Sequence, residues 1–314
     1  MREDILVREV GLRDGLQLVP DMMPTERKIE WMTEAAAAGI REIEVSSFVP
    51  AKVIPQFADA DALVAAALRD PSVYASVLAV NLKGAQRAFE AGVAKINTVI
   101  SASEAHSLAN VRRTRAEAVD AVRAILAERD ARGLAGKVTV SAGIATSFGC
   151  TLQGEVAEDD VLDLARQVVA AGADEVMIAD TVGYADPVRV RRLMGAVVAE
   201  VGPVPVLAHF HDTRGLGLAN VVAAVEAGVR RFDASLGGLG GCPFAPGATG
   251  NIDTEDTVYL LETMGFDTGI DLARLLALRT RLTAWLPTER LGGAVHRAGV
   301  PKLPATYPTM AAAV

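Results

Sequence analysis

The stretch ERKIEWMTEAAAAGIREIEVS, residues 26–46, holds the repeating unit of this chain. Ile29, Met32 and Ala36 fall on one face of a helix over Glu26–Ala38. Gly39 ends that helix in a conformation that suits glycine, and a short β-branched run follows. Thr25, just ahead, is expected to cap the helix's free N–H groups. The junction recurs as Ala91-Gly92-Val93, Ala171-Gly172-Ala173 and Ala227-Gly228-Val229, each between a helical pattern and an apolar run.

Eight such runs are predicted as strands: Ile5–Val10, Glu42–Ser46, Tyr74–Val80, Lys95–Ile100, Val138–Ala142, Glu175–Ala179, Pro205–Phe210 and Arg231–Ser235. Several are apolar nearly throughout, as expected for parallel strands covered by helices. Further helices are expected at Arg115–Arg132, Asp159–Ala171, Pro187–Glu200 and Gly215–Ala227. Eight βα units in about 250 residues predict a closed (β/α)8 TIM barrel, an α/β fold. The runner-up is a doubly wound sheet, weakened because no Gly-x-Gly-x-x-Gly follows the first strand. Helices near Thr254–Met264 and Leu272–Trp285 then form a short C-terminal extension. The domain expectation is therefore a barrel with its last helices over 1–285 and a tail over 286–314.

Composition narrows the function classes. The 314 residues are 51% hydrophobic and 22% charged, too apolar for a disordered chain. Two cysteines cannot staple it. A net charge of −8 without a Lys/Arg stripe argues against nucleic acid. Residues 1–10 lack an apolar signal core, and no membrane span is expected, so a cytoplasmic home is the expectation.

Barrel enzymes gather chemistry at the C-terminal ends of strands. Here those ends carry Arg13-Asp14-Gly15-Leu-Gln17, Glu44-Val-Ser46-Ser47, Asp180-Thr181 and His209-Phe-His211-Asp212, with Asn251 after strand 8. Alternation points His209 and His211 to one face of a strand, which suits one metal. The pair could equally satisfy strand-end hydrogen bonds. Asp14 and Asn251 complete an N₂O₂ set, which favours Mg²⁺ or Mn²⁺ over structural Zn²⁺. Arg13 offers donors to a developing oxyanion, although Arg13-Asp14 could also be a structural pair. Glu44 is a candidate base, or a group that orients Arg13. Residues 237–251 hold six glycines in fifteen positions, with Cys242 between Gly and Pro as a candidate acid or base. Cys150 reads as a packed small hydrophobe, and His106 and His296 read as surface residues.

Val10-Gly-Leu-Arg13-Asp14-Gly15-Leu-Gln17, His209-x-His211-Asp212-Thr213 and the loop Gly240–Asn251 resemble the 3-hydroxy-3-methylglutaryl-CoA lyase family, from about Ile5 to Leu282. The first two motifs are shared with isopropylmalate and homocitrate synthases; the Cys-bearing loop is the lyase's. The resemblance implies a divalent cation on Asp14, His209, His211 and Asn251. Arg13 would stabilise the enolate, and Cys242 would transfer a proton. Gln17, Ser47, Glu44 and Asp180 would surround the acyl-CoA substrate. It implies retro-Claisen cleavage to acetyl-CoA and a 3-keto acid, by a homodimer. The synthase alternative wants a Glu where Leu16 stands, and a non-catalytic binder has no use for Cys242.

Four departures sit near the substrate. They are Leu12 for Pro, Leu18-Val19 for Asn-Glu, Met177 for Ser, and Ser141-Ala142-Gly143 where the family carries Arg and an aromatic. They suggest the same reaction on a larger or more apolar acyl group. Lys52 and Lys83 are weak candidates for the CoA phosphates.

Overall fold

The computed structural model describes residues 2–241 and 250–302. Eight parallel strands, β1 (Leu6–Glu9), β2 (Glu42–Ser47), β3 (Tyr74–Leu78), β4 (Lys95–Ser101), β5 (Thr139–Ala145), β6 (Glu175–Asp180), β7 (Val206–Phe210) and β8 (Arg231–Ala234), close into a barrel in sequence order. The ring shuts where Leu6–Glu9 pair with Arg231–Ala234. Helices α1 (Thr25–Ala37), α2 (Ala60–Ala67), α3 (Leu82–Ala91), α4 (Glu104–Val111), α5 (Arg115–Ala131), α6 (Glu158–Ala170), α7 (Pro187–Val201) and α8 (Gly217–Glu226) connect them; α9 (Thr254–Thr263), α10 (Leu272–Trp285) and α11 (Ala294–Ala298) follow. This is the expected (β/α)8 fold, and each of the eight predicted runs is a strand.

The cover is apolar. Ile43, Val45, Ile96, Val176, Ile178 and Phe232 leave the strands outward into a continuous core beneath the helices. Burying each such side chain contributes about 1.5–3 kcal/mol. Gly39 takes φ +99°, and a Cβ there would lie 2.2 Å from the Gly269 carbonyl oxygen, so both its conformation and its neighbour require glycine. Helix α10 returns against α1, where the Arg281 guanidinium donates to Glu30 and Glu34.

Two local expectations are corrected. Thr25 is not the α1 cap: the helix begins after Pro24 with no side-chain cap, and the Thr25 hydroxyl instead donates to Asp59 at 2.9 Å. The eighth barrel helix starts at Gly217 rather than Gly215, because Asp212 accepts from the Gly217 N–H and holds the approach as a turn. Beyond α10, residues 286–302 remain tied to the barrel. Asp256 accepts from the N–H groups of Ala294 and Val295, and Gly292 donates to Gly237. No described helix is long and apolar enough to cross a membrane.

Inside the barrel the strands are not apolar. The even strands send in two tiers, Glu42, Lys95, Glu175 and Arg231 below and Glu44, Asn97, Met177 and Asp233 above. Arg8 from β1 lies between them. Four residues per tier from alternate strands is the ordinary layering of such barrels, but branched aliphatics usually fill it.

Candidate active site

The first loop aims Arg13 and Asp14. After β1 the chain makes one wide π turn, Gly11–Gly15, in which the Val10 carbonyl accepts from the N–H groups of Arg13, Asp14 and Gly15. Arg13 Nε donates to Glu44 Oε2 at 2.5 Å, and Nη1 donates to Asp14 Oδ1 at 2.5 Å. Its other terminal nitrogen has no partner among the described residues. Glu44 is fully buried and its second oxygen accepts from Asn97 Nδ2 at 2.8 Å. With both oxygens engaged, it holds Arg13 in place.

β7 carries His209 next to its last residue and delivers His211 just beyond. Their Nε2 atoms lie 3.1 Å apart, and His211 Nε2 is 3.7 Å from Asp14 Oδ2. His209 Nδ1 lies 3.0 Å from Asp233 Oδ2, which leaves Nε2 as its outward lone pair. Residues 250–252 run beside the end of β7: Asp212 donates to the Gly250 carbonyl, and Ile252 to that of Phe210. That pairing sets Asn251 next to His211, with Asn251 Nδ2 donating to Asp14 Oδ2 at 2.8 Å.

This group fits a divalent cation. Ligand atoms of Asp14, His209 and His211 all lie within 4.8 Å of one another. Asn251 Oδ1 is buried without a hydrogen-bond partner among the described residues, an acceptor in want of a charge. At the mouth Arg13 faces two carboxylates, Asp14 and Glu44, so negative charge is in surplus.

The electrostatics agree. Burial pushes the Asp14 carboxyl up, but Arg13 and the two imidazoles outweigh it and hold it well below the usual range. Burial would lower His209, but Asp233 raises it above the ordinary histidine value. Burial opposes the charge on Arg13 too, and Glu44 and Asp14 overcome that.

A cavity of about 250 Å³ opens above these groups, lined by Arg13, Asp14, Gln17, Glu44, His209 and His211 on its polar side. Val49, Val53, Ile54, Leu78, Val99 and Met177 supply the apolar wall. Two expected substrate residues are placed elsewhere. The Ser47 hydroxyl donates to the Leu78 carbonyl and accepts from Val49 N–H. Asp180 accepts from the N–H groups of Tyr184 and Ala185, a turn-holding role, and burial raises its pKa despite them. Neither lines the cavity. Cys242 lies outside the described residues. Cys150 is buried in the core, as expected. His106 is not a surface residue: it is 3% exposed, its Nδ1 lies 2.7 Å from Ser101 Oγ, and it lines the cavity. Lys52 and Lys83 are both exposed, and Lys52 adjoins the cavity-lining Val53.

Sequence reasoning missed Arg8, Asn97 and Asp233. For Asn97 and Asp233 the signal was present as polar residues two apart in three of the four even strands: Glu42-x-Glu44, Lys95-x-Asn97 and Arg231-x-Asp233.

A family model described as HMGL-like matches residues 5–281. The chain is 37% identical over 273 residues to a hydroxymethylglutaryl-CoA lyase of Bacillus subtilis, covering 87% of this chain and 90% of that one. It is 37% identical over 278 residues to a 3-hydroxy-3-isohexenylglutaryl-CoA/hydroxymethylglutaryl-CoA lyase of Pseudomonas aeruginosa, covering 88% and 91%. Among solved structures, an HMG-CoA lyase from Acinetobacter baumannii in complex with coenzyme A and 3-methylmalate is similar. It superposes with a TM-score of 0.88 at 41% identity over 96% of this chain and 98% of that one.

Proposed function

The chain belongs to the HMGL-like family, and from that premise we propose that it is a metal-dependent carbon–carbon lyase. It cleaves a 3-hydroxy-3-methylglutaryl-CoA-like thioester to acetyl-CoA and a 3-keto acid by retro-Claisen cleavage. The observation that carries this reading is the convergence of Arg13, Asp14, His209, His211 and Asn251 in one cluster beneath the cavity.

Asp14, His209, His211 and Asn251 would hold Mg²⁺ or Mn²⁺, which when bound favours loss of the proton from a substrate hydroxyl. Arg13 keeps one terminal nitrogen without a partner among the described residues while Glu44 and Asp14 fix the rest of its guanidinium. Fixed donors of this kind stabilise the negative charge that grows on the departing thioester oxygen. Gln17 faces the cavity and is placed to contact the substrate. Cys242, on the glycine-rich loop, is assigned the proton for the enolate carbon by its family motif. Ser47 and Asp180 support the site by shaping the turns beside it.

The acyl group follows from the wall. Met177 stands opposite Gly143 on the neighbouring strand, where a Cβ would come 2.4 Å from the Met177 methyl. Together with Val49, Val53, Ile54 and Leu78 it presents hydrocarbon to the substituent on C3. We propose a substituent larger or more apolar than methyl, for which a hydroxyl partner is not needed.

The test is acetyl-CoA release from a panel of 3-hydroxyacyl-CoA esters with rising C3 substituents, after chelation and after Mg²⁺ or Mn²⁺ is returned. Activity that is lost to chelator, recovers with metal and rises with substituent length supports the reading. A clear preference for the methyl ester refutes the acyl assignment, and indifference to chelator refutes the metal. Cys242→Ser should abolish turnover and leave acyl-CoA binding intact, an outcome a mere binder would not show.

A further inference from the structure

Two arginines line the cavity, and they are used in opposite ways. Arg13 has a terminal nitrogen without a partner among the described residues. Arg8, 1% exposed and one tier deeper, has all five N–H groups engaged. Its Nε and Nη2 donate to the two oxygens of Asp233 at 2.5 and 2.8 Å, a bidentate pair. Its Nη1 donates to Asn97 Oδ1 at 2.8 Å and to Glu42 Oε1 at 3.3 Å, and Nη2 also meets Met177 Sδ at 3.7 Å. Nothing is left for a substrate.

Each arm of Arg8 ends on a different half of the site. One runs through Asp233 to Nδ1 of His209. The other runs through Asn97, whose Nδ2 donates to Glu44, which in turn grips Arg13. We propose that Arg8 is a positioning residue that couples the two halves, setting the His209 imidazole toward the cation and the Arg13 guanidinium toward the enolate from one planar fork.

The chemistry demands this residue type. A carboxylate held on both oxygens cannot rotate, so the imidazole it accepts from is fixed in tautomer and in plane. A guanidinium spans Asp233 and Asn97 at once because its donors are coplanar and splayed. An ammonium gathers its three donors at one point and cannot reproduce that coplanar fork. Strand β5 offers no cation at this level, where it carries Ser141-Ala142-Gly143; the cation comes from β1 instead. The inference rests on the metal-lyase reading above.

The test uses Mn²⁺ titration of the metal-free full chain, followed by calorimetry and by electron paramagnetic resonance, alongside steady-state turnover of 3-hydroxy-3-methylglutaryl-CoA. Arg8→Lys keeps the charge and so the fold. It should weaken Mn²⁺ binding roughly tenfold, within the range seen for outer-shell partners, and lower kcat by a similar factor with KM changed less than about threefold. The arms then separate. Asp233→Asn should lower Mn²⁺ affinity, whereas Asn97→Leu should lower kcat with Mn²⁺ affinity unchanged. Arg8→Lys binding Mn²⁺ as tightly as the parent overturns the coupling, as does a loss of kcat matched only by a lower Tm. An unmodified chain that fails to bind Mn²⁺ overturns the metal reading and the inference with it. One that binds Mn²⁺ but does not turn over this ester refutes only its use as a substrate, and the Mn²⁺ affinities of the variants still decide the coupling.

Discussion

The two faces of the same eight strands are built on opposite rules. Outward, Ile43, Val45, Ile96, Val176, Ile178 and Phe232 pack against helices in a continuous apolar layer. Inward, one residue along in each strand, Arg8, Lys95 and Arg231 face Asp233, Glu42 and Glu175. Glu44, the remaining inward carboxylate, is matched by Arg13, so four cations face four carboxylates and the lumen's charges balance. Replacing a buried ion pair by apolar residues is often neutral or stabilising, so the lumen is not where this fold draws its stability. The outer layer supplies that. The inner one supplies directional bonds that reach the mouth, where the balance breaks in favour of negative charge at Asp14.

The largest effect expected from breaking this contrast is on the lumen floor. Lys95→Met leaves Glu42 and Glu175, each now 2.7 Å from the ammonium, without their shared partner. Urea unfolding should show a loss of about 3–5 kcal/mol, the cost of stranding buried charge. A loss near zero would mean that water entering from the cavity beneath, which Lys95 also lines, already solvates these acids.

Breaking the outer layer should cost less and act differently. Ile178→Ala should destabilise by about 3 kcal/mol through the cavity it leaves. Mn²⁺ affinity in the remaining folded protein should match the parent, and a weakened site would show that the layers are not independent. At the boundary of the lumen, Gly143→Ala sets a methyl against the end of Met177, a flexible side chain. About 1 kcal/mol is expected, because a thioether chain can give way. The displaced Met177 should cut turnover of long-chain esters more than of short ones.

The smallest effect sharpens the point about balance. Beside Gly238 and Gly292, Asp253 forms no ion pair among the described residues. Burial raises its pKa to about 8, helped by Glu255, Asp256 and Asp212 and only partly opposed by Arg279. The folded chain therefore holds a proton that the unfolded chain releases above about pH 4. The associated stability is present below that pH and is lost as pH rises toward 8. Asp253→Asn should flatten this slope, by on the order of 1 kcal/mol per pH unit, the limit for one titrating group. Parallel Tm-against-pH curves for variant and parent would count against it.

Much of the site was legible because strand ends and loops carry their chemistry in short runs. Arg13-Asp14 and His209-x-His211 stand together in sequence, and a strand's alternation is enough to put both imidazoles on one side. The Arg8 network was not legible in that way. Its members come from β1, β2, β4 and β8, and each looks like a stray polar group in its own strand. His106 was misread for a related reason. Ser103 caps α4 and starts it just past β4, and that turn carries the imidazole under the wall of the cavity.

By itself the amino-acid sequence determined the number of βα units, the apolar outward face and the residues of the candidate metal site. These follow from periodicities of two and 3.6 and from motifs a few residues long. Tertiary structure alone decided which inward charges meet. Closing the ring sets β1 against β8 and brings Arg8 within 2.5 Å of Asp233, 225 residues away. Whether a buried charge is a defect or a tether depends on what stands opposite it, and no local pattern records that.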